Sequence, residues 1–310
     1  MTVLLILSGL VLLVLGAEGL VRGSVGLALR LGLTPLVIGL TVVAFGTGSP
    51  ELVVSLRAAL DGESGLALGN VVGSNIANIA LILGLSALIR PMNVQLQVIR
   101  REIPIMIGAT LLLGQFLLNG HVGRLEGAML VLGIIAYTGV TYRLARQETK
   151  ETPFDEEMPA TPAQPVWVSL LLAILGLGGL LLGARLFVAG AVTLAETLGV
   201  SRAVIGLSVV AVGTSLPELA TSVVAAIRRE GDVAIGNVVG SNIFNILAIL
   251  GVTALVQPIP ALDLRPLDFG AMLLVSLIIL PLMHSGFRLN RLEGGLLLIG
   301  YAAYLYTLWP

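Results

Sequence analysis

Two glutamates, Glu51 and Glu218, stand alone in long apolar stretches of the sequence. Each follows a proline in a closely similar phrase, GTGSPE in one case and GTSLPE in the other, and the two phrases lie 167 positions apart. A lone carboxylate inside a membrane span costs about 2.5–3.5 kcal/mol on insertion scales. Because the chain bears this cost twice, at matching places, we predict that both carboxylates bind cations.

The composition is that of a helical membrane protein. Hydrophobic residues make up 56% of the chain and charged residues 11%, whereas a soluble domain carries about 25% charged residues. Apolar stretches of about 20 residues, the length of a membrane-spanning helix, recur throughout. A net charge of −1 gives no reason to expect a nucleic-acid partner, and the absence of cysteine excludes disulfides and thiolate metal sites. Residues 3–17 resemble a signal-peptide core but lack a basic flank, so we predict a retained helix.

The sequence repeats itself after 167 residues. Residues 69–79 read GNVVGSNIANI and residues 236–246 read GNVVGSNIFNI, with one difference. The halves align without a gap, and each contains five apolar segments; an odd number makes the copies face opposite ways, as in many transporters. We therefore predict an all-α membrane protein with ten transmembrane helices in two inverted five-helix repeats. The predicted parts are a first repeat at 1–142, a linker at 143–166 and a second repeat at 167–310.

Loop charges predict the orientation in the membrane. Arginine and lysine gather in the loops on the same side as the polar linker, and such residues favour the cytoplasmic side. We therefore predict a multi-pass protein of the inner (plasma) membrane, with both termini outside and the linker in the cytoplasm.

The residues before each glutamate predict a broken helix. Pro50 cannot donate a hydrogen bond to the carbonyl of Gly46, and Pro217 has the same effect on Gly213. The second and seventh helices should therefore bend near the middle of the membrane, where irregular backbone is tolerated only in the protein interior or around a cavity. This frees backbone carbonyls as ligands at Ala44–Thr47 and Ala211–Thr214.

Polar side chains that could join the glutamates recur at helical spacing. Thr47 lies four residues before Glu51, and Ser74 lies four residues before Asn78, so each pair shares a helix face. These hard oxygen donors select calcium, magnesium, manganese or sodium over zinc and copper, and flexible, carbonyl-rich coordination favours calcium over magnesium. The candidate metal ligands, counting both halves, are Glu51, Glu218, Asn78, Asn245, Thr47, Thr214, Ser74, Ser241, Ala44 and Ala211.

The two halves resemble the α-repeats of the calcium/cation antiporter superfamily, and most of all its prokaryotic sodium/calcium exchanger branch. The shared phrases are G-T-x-x-P-E and G-N-V-V-G-S-N-I-x-N-I, and the likeness covers nearly the whole chain. It implies a central site of both glutamates and the amides of Asn78 and Asn245, with calcium also held by the carbonyls of Thr47 and Thr214. It also implies flanking sodium sites, one at Ala211, Thr214, Ser215, Glu218 and Ser241, and one at Ala44, Thr47, Glu51 and Ser74.

Two positions depart from the pattern that the resemblance implies. Gly48 stands where the second half has Ser215, so the first-repeat sodium site lacks a hydroxyl. That site should bind sodium more weakly, recruit water, or not bind sodium. Asn245 stands where some relatives have aspartate, which argues against potassium as a further cargo.

These features predict a transporter rather than an enzyme. The expected activity is secondary antiport of calcium against sodium by alternating access, with the first and sixth helices sliding as the gate. A proton/calcium exchanger using the same glutamates is the alternative, and a passive cation channel is a third reading. No phosphate-binding G-x-x-x-x-G-K-S/T motif is present. We expect calcium and sodium (or protons) as transported ions, the lipid bilayer as surroundings, no cofactor and no obligate protein partner.

Overall fold

The described part of the chain folds as a bundle of helices with four two-residue strands. A computed structural model describes residues 2–151, 165–198, 211–260 and 264–308. The helices are α1 (Thr2–Leu31), α2 (Pro35–Thr47), α3 (Ser49–Leu60), α4 (Gly65–Ile89), α5 (Val98–Leu118), α6 (Arg124–Glu151), α7 (Val166–Thr197), α8 (Ala211–Thr214), α9 (Leu216–Ile227), α10 (Gly231–Val256), α11 (Pro266–His284) and α12 (Arg291–Leu308). The strands are β1 (Met92–Asn93), β2 (His121–Val122), β3 (Ile259–Pro260) and β4 (Arg288–Leu289).

Most of the predicted spans are present as long apolar helices. Seven of the described helices are long and apolar enough to cross a membrane, and the bent pair α2–α3 makes an eighth. The described part of the predicted seventh span consists of the four-residue α8 and the shorter helix α9, since residues 199–210 lie outside the described residues. The chain is therefore an all-helical membrane protein. Helix α6 continues to Glu151, so it takes up the first part of the segment predicted as linker.

Helices α4 and α10 form the centre of the bundle. In the most apolar 18-residue stretch of each helix, 89% of the residues of α10 and 72% of those of α4 are buried inside the protein. The share is 22–39% for the other long helices that could span a membrane. These two helices carry the repeated GNVVGSNI phrase. The polar side chains of the repeat therefore lie in the protein interior rather than against lipid.

Helices α1 and α7 pack against each other along their whole length. Glycines spaced seven residues apart bring the backbones together: a Cβ atom on Gly16 would lie 2.6 Å from the nitrogen of Leu180, and one on Gly9 would lie 2.6 Å from that of Phe187. Small residues permit such close approach between membrane helices. The glycines on the two facing stripes are Gly9, Gly16, Gly23, Gly176, Gly183 and Gly190.

The four strands join the two halves of the chain. Strand β1 pairs with β4 in antiparallel register, with Met92 opposite Leu289. Strand β2 pairs with β3, with His121 opposite Pro260. Each pair takes one strand from each half. The loop between α4 and α5 meets the loop between α11 and α12, and the loop between α5 and α6 meets the loop between α10 and α11. The strands were not predicted from the sequence.

Candidate ion-binding site

Each glutamate begins a new helix just after a break. Helices α2 and α3 meet at 44° around Gly48, whose backbone torsions are φ −77° and ψ 0°. In the second half, Ser215 has φ −89° and ψ 8° between α8 and α9. Glu51 and Glu218 lie in the first turn after these breaks, where the positive end of the helix dipole favours an anion. The predicted bend of the second helix is confirmed.

The asparagines Asn78 and Asn245 lie in π-helical turns at the centre of the bundle. These turns span Ala77–Leu83 and Asn245–Leu250, and π-turns within helices occur often at functional sites. Asn78 donates to Asn242 Oδ1 at 3.0 Å, and Asn245 donates to Asn75 Oδ1 at 3.0 Å. The amide nitrogens are thus engaged across the two halves, which leaves the amide oxygens free to accept.

Four buried oxygens of the predicted central set have no hydrogen-bond partner among the described residues. They are Glu51 Oε2, Glu218 Oε2, Asn78 Oδ1 and Asn245 Oδ1. All four residues are at most 2% exposed. Because an unpaired buried polar group costs about 1–3 kcal/mol, more when charged, such a set fits a cation that supplies the missing interactions. The described residues contain no group of three His, Cys, Asp or Glu side chains suited to a metal, so beside the two carboxylates the further donors of this set are the neutral oxygens of Asn78 and Asn245.

Ser215 closes one side of this central set. Its hydroxyl lies 3.3 Å from Glu51 Oε1 and 3.5 Å from the hydroxyl of Ser74. The resemblance assigns Ser74 to the first-repeat sodium site and Ser215 to the second, and in the structure the two hydroxyls lie next to each other. The hydroxyls cross between the repeats because each broken helix packs against the central helix of the other half.

The opposite side of the set is built differently. The positions equivalent to Ser215, Ser74 and Glu51 are Gly48, Ser241 and Glu218, and with no hydroxyl at Gly48 the Ser241 hydroxyl has no partner among the described residues. A Cβ atom on Gly48 would lie 3.1 Å from Cδ1 of Phe244 and 3.0 Å from the carbonyl oxygen of Ala44. The aromatic ring therefore covers the place where a serine side chain would start.

The remaining predicted ligands are engaged in the surrounding framework. The Thr47 hydroxyl donates to Val43 O at 3.1 Å or to Asn237 Oδ1 at 3.2 Å, and it lies beside the Glu218 carboxyl. The carbonyl oxygen of Ala44 accepts from Gly48 N at 3.0 Å, which leaves one lone pair for a ligand. Thr214 lines a cavity next to the break, and Ala211 begins the four-residue helix α8.

Sequence reasoning missed Phe244, which shapes the site. Asn75 and Asn242, which the repeat places on the central helices, bond across them and orient the amides of Asn245 and Asn78. Phe244 was visible as the single difference between the repeated phrases, where the first half has Ala77. The two halves differ both at Gly48, which matches Ser215, and at Phe244, which matches Ala77. The packing of the Phe244 ring against Gly48 links these two differences.

Comparison with known proteins decides the family. A family model described as sodium/calcium exchanger protein matches residues 1–143 and 168–309. The chain belongs to this family. The putative antiporter CaxA of Alkalimonas amylolytica is 39% identical over 312 residues, which is 98% of this chain and 97% of the relative. The sodium/calcium exchanger MaX1 of Methanosarcina acetivorans is 34% identical over 347 residues, covering 99% of this chain and 98% of the relative.

The fold agrees with a solved member of the family. A structure of the sodium-calcium exchanger NCX_Mj soaked with Na⁺ superposes with a TM-score of 0.86 at 34% identity, covering 99% of this chain and 98% of the other. The fold and the sequence therefore place this chain in the same family of membrane transporters.

Proposed function

We propose that the protein is a secondary antiporter that exchanges calcium for sodium, with both ions sharing the site between Glu51 and Glu218. The observation that carries this is the set of four buried oxygens without partners, two of them on carboxylates. Two negative charges match one divalent cation, and flexible oxygen ligation favours calcium over magnesium. The names of the sodium/calcium exchangers MaX1 and NCX_Mj support the same cargo.

Exchange follows from sharing the carboxylates. Sodium is a hard cation that takes the same oxygens, so it competes with calcium for Glu51 and Glu218. An ion that leaves must be replaced, because two uncompensated carboxylates in the protein interior are strongly unfavourable. This coupling makes each ion's passage depend on the other.

The arrangement proposed is ten transmembrane helices in two inverted repeats, with both termini outside the cell membrane and the linker inside. The crossed strand pairs support the inversion. If both halves ran the same way, the loops holding β1 and β4 would lie on opposite membrane faces and could not pair. The charge distribution of the loops supports the orientation.

Reconstituted liposomes test the antiport directly. Liposomes loaded with sodium and diluted into sodium-free buffer should take up calcium, and uptake should stop when sodium is equal on both sides. Calcium flux that continues without any counter-ion and does not saturate would instead identify a channel.

A proton/calcium exchanger is the second candidate, and the side of the site at Gly48 favours it. That side offers Glu218 and Ser241 but no second hydroxyl, a setting that suits a proton better than sodium. Calcium uptake driven equally well by a proton gradient, with no effect of sodium, would establish this candidate and contradict sodium exchange.

A further inference from the structure

Four charged residues outside the ion site occupy matching positions with reversed sign. Shifting by 167 residues aligns Glu18 with Arg185 and Arg228 with Asp61. Both members of the pair change sign together, so an attraction between the two positions is retained in each half. Glu18 and Arg185 lie on the packed helices α1 and α7, whereas Asp61 and Arg228 directly follow the glutamate-bearing helices α3 and α9.

The Glu18–Arg228 pair is formed in the structure. Arg228 Nη2 lies 2.6 Å from Glu18 Oε1, and Arg228 Nε donates to Glu18 Oε2 at 2.7 Å. This two-pronged geometry is the stronger form of an arginine–carboxylate contact. Arg22 also contacts the same carboxylate. The pair fastens α1 to the end of α9, and α1 packs along α9 beside it.

The matching pair is apart. The Arg185 side chain is exposed and makes no ion pair or hydrogen bond within the described part of the chain. Among the described residues, the Asp61 carboxylate forms an ion pair only with Arg57, at 3.8 Å, and both side chains are largely exposed. Between α3 and α7 lies a cavity of about 460 Å³. Its walls include Ser49, Val53 and Arg185, and it reaches the break in the second half at Thr214.

Helices α1 and α7 must move together. Their glycine stripes hold the two backbones in direct contact, so separating them would lose packing along both helices. A shift of this helix pair that draws α1 from α9 would therefore carry α7 toward α3. The same movement breaks one ion pair and brings the members of the other together.

We propose that Glu18–Arg228 and Asp61–Arg185 are alternating positioning pairs, each closing the path to the ion site at one membrane face. The present structure is closed at Arg228 and open at Asp61. Because each pair joins one arginine to one carboxylate, the two ion pairs stabilise the two states by similar free energies. Neither state is then so stable that the protein cannot leave it. This inference rests on the alternating access of the proposed antiport, but its test does not depend on calcium transport.

Labelling of an introduced cysteine measures which face is open. The chain has no cysteine of its own, so Ser49→Cys, in the cavity wall, reports on that cavity alone. A membrane-impermeant thiol reagent added at the Asp61 face should label it. Adding Glu18→Gln or Arg228→Gln should slow labelling several-fold, because loss of this ion pair favours the state in which the Arg228 face is open and the Asp61 face is closed. Arg185→Gln removes the opposite pair and should therefore speed labelling.

Charge reversal separates pairing from a merely structural role. Glu18→Arg should slow labelling, and Glu18→Arg combined with Arg228→Glu should restore the original rate. The pair Asp61→Cys with Arg185→Cys should also cross-link faster when Glu18→Gln is present. Three results would overturn the proposal. The labelling rate could change in the same direction for Glu18→Gln and Arg185→Gln, the charge-reversed double variant could fail to restore the rate, or Ser49→Cys could stay unlabelled in every background. Opposite labelling shifts without sodium-driven calcium uptake would leave the pairs standing and contradict the antiport.

Discussion

The two sides of the candidate ion site are built from nearly identical repeated phrases, but a different residue closes each side. On one side, the Ser215 hydroxyl meets Glu51 and Ser74. On the other, Gly48 has no hydroxyl to offer, and the Phe244 ring lies against it. The central glutamates and asparagines are alike in both halves. A divalent ion on the axis between the glutamates would therefore meet equal ligands, whereas a small ion held to one side would meet very different ones.

Removing either central carboxylate should have the largest effect on calcium uptake and binding. The effect should be equal at the two positions, although the two sides of the site differ. Glu51→Gln and Glu218→Gln each leave one charge facing a divalent ion. Breaking a buried charge pair costs about 3–5 kcal/mol, or about 100-fold or more in calcium affinity. Calcium uptake into sodium-loaded liposomes and calcium binding by calorimetry should both be lost to the same degree. A variant that loses uptake only at position 51 or only at 218 would contradict a shared site.

Removing the hydroxyl from the complete side should come next. Ser215→Gly makes the two sides alike, and the loss of one neutral oxygen ligand costs about 1–1.5 kcal/mol, close to tenfold in affinity. The sodium concentration that gives half-maximal calcium uptake should rise about tenfold, while calcium binding in the absence of sodium changes little. Ser49→Gly, a hydroxyl removed outside the central set, is the matched control and should leave both unchanged. An equal loss for calcium and sodium would argue against a side-specific sodium site.

Building the missing hydroxyl should have the smallest effect on transport. Gly48→Ser alone places a side chain against Phe244, and such overpacking costs about 1–3 kcal/mol. Its melting temperature should therefore fall. Gly48→Ser with Phe244→Ala reproduces the Ser215 and Ala77 pair of the other side, so the overpacking should be relieved and calcium uptake should become steeper in sodium, with a higher Hill coefficient.

The controls for this double variant follow from the same packing. Phe244→Ala alone removes the ring without adding a hydroxyl, so it should lower stability and leave the sodium dependence shallow. If the double variant folds well but shows the same sodium dependence as the parent, the Gly48 side does not determine the number of sodium ions exchanged.

Much of the fold could be predicted because it rests on local chemistry. Pro50 fixes the bend near Gly48, and the apolar lengths fix the helices. The glutamates and Asn78 and Asn245 were found because buried polar groups are rare in membrane spans and these recur in a repeat. Their membership of one ion-binding set stays a prediction that the partnerless oxygens support.

The rest depends on contacts between distant parts of the chain. Two-residue strands carry too little pattern to be predicted, and the β1–β4 pair forms only because two loops meet in space. The crossing of Ser74 to Ser215 depends on how a broken helix packs against the opposite half. Likewise, neither Gly48 nor Phe244 alone indicates that one compensates for the other.

The paired strands also bear on which parts of the molecule could form a stationary frame. Pairs β1–β4 and β2–β3 connect the loops around α4, α5 and α6 to those around α10, α11 and α12 at both ends of the bundle, so we expect these helices to move as one unit. Helices α1 and α7 take part in neither strand pair, and they hold to each other through their glycines. Under the proposed antiport, an ion between the glutamates would therefore stay nearly still while the α1–α7 pair travels past it. We expect that sliding, rather than rebuilding of the ion's coordination, to set the speed of transport.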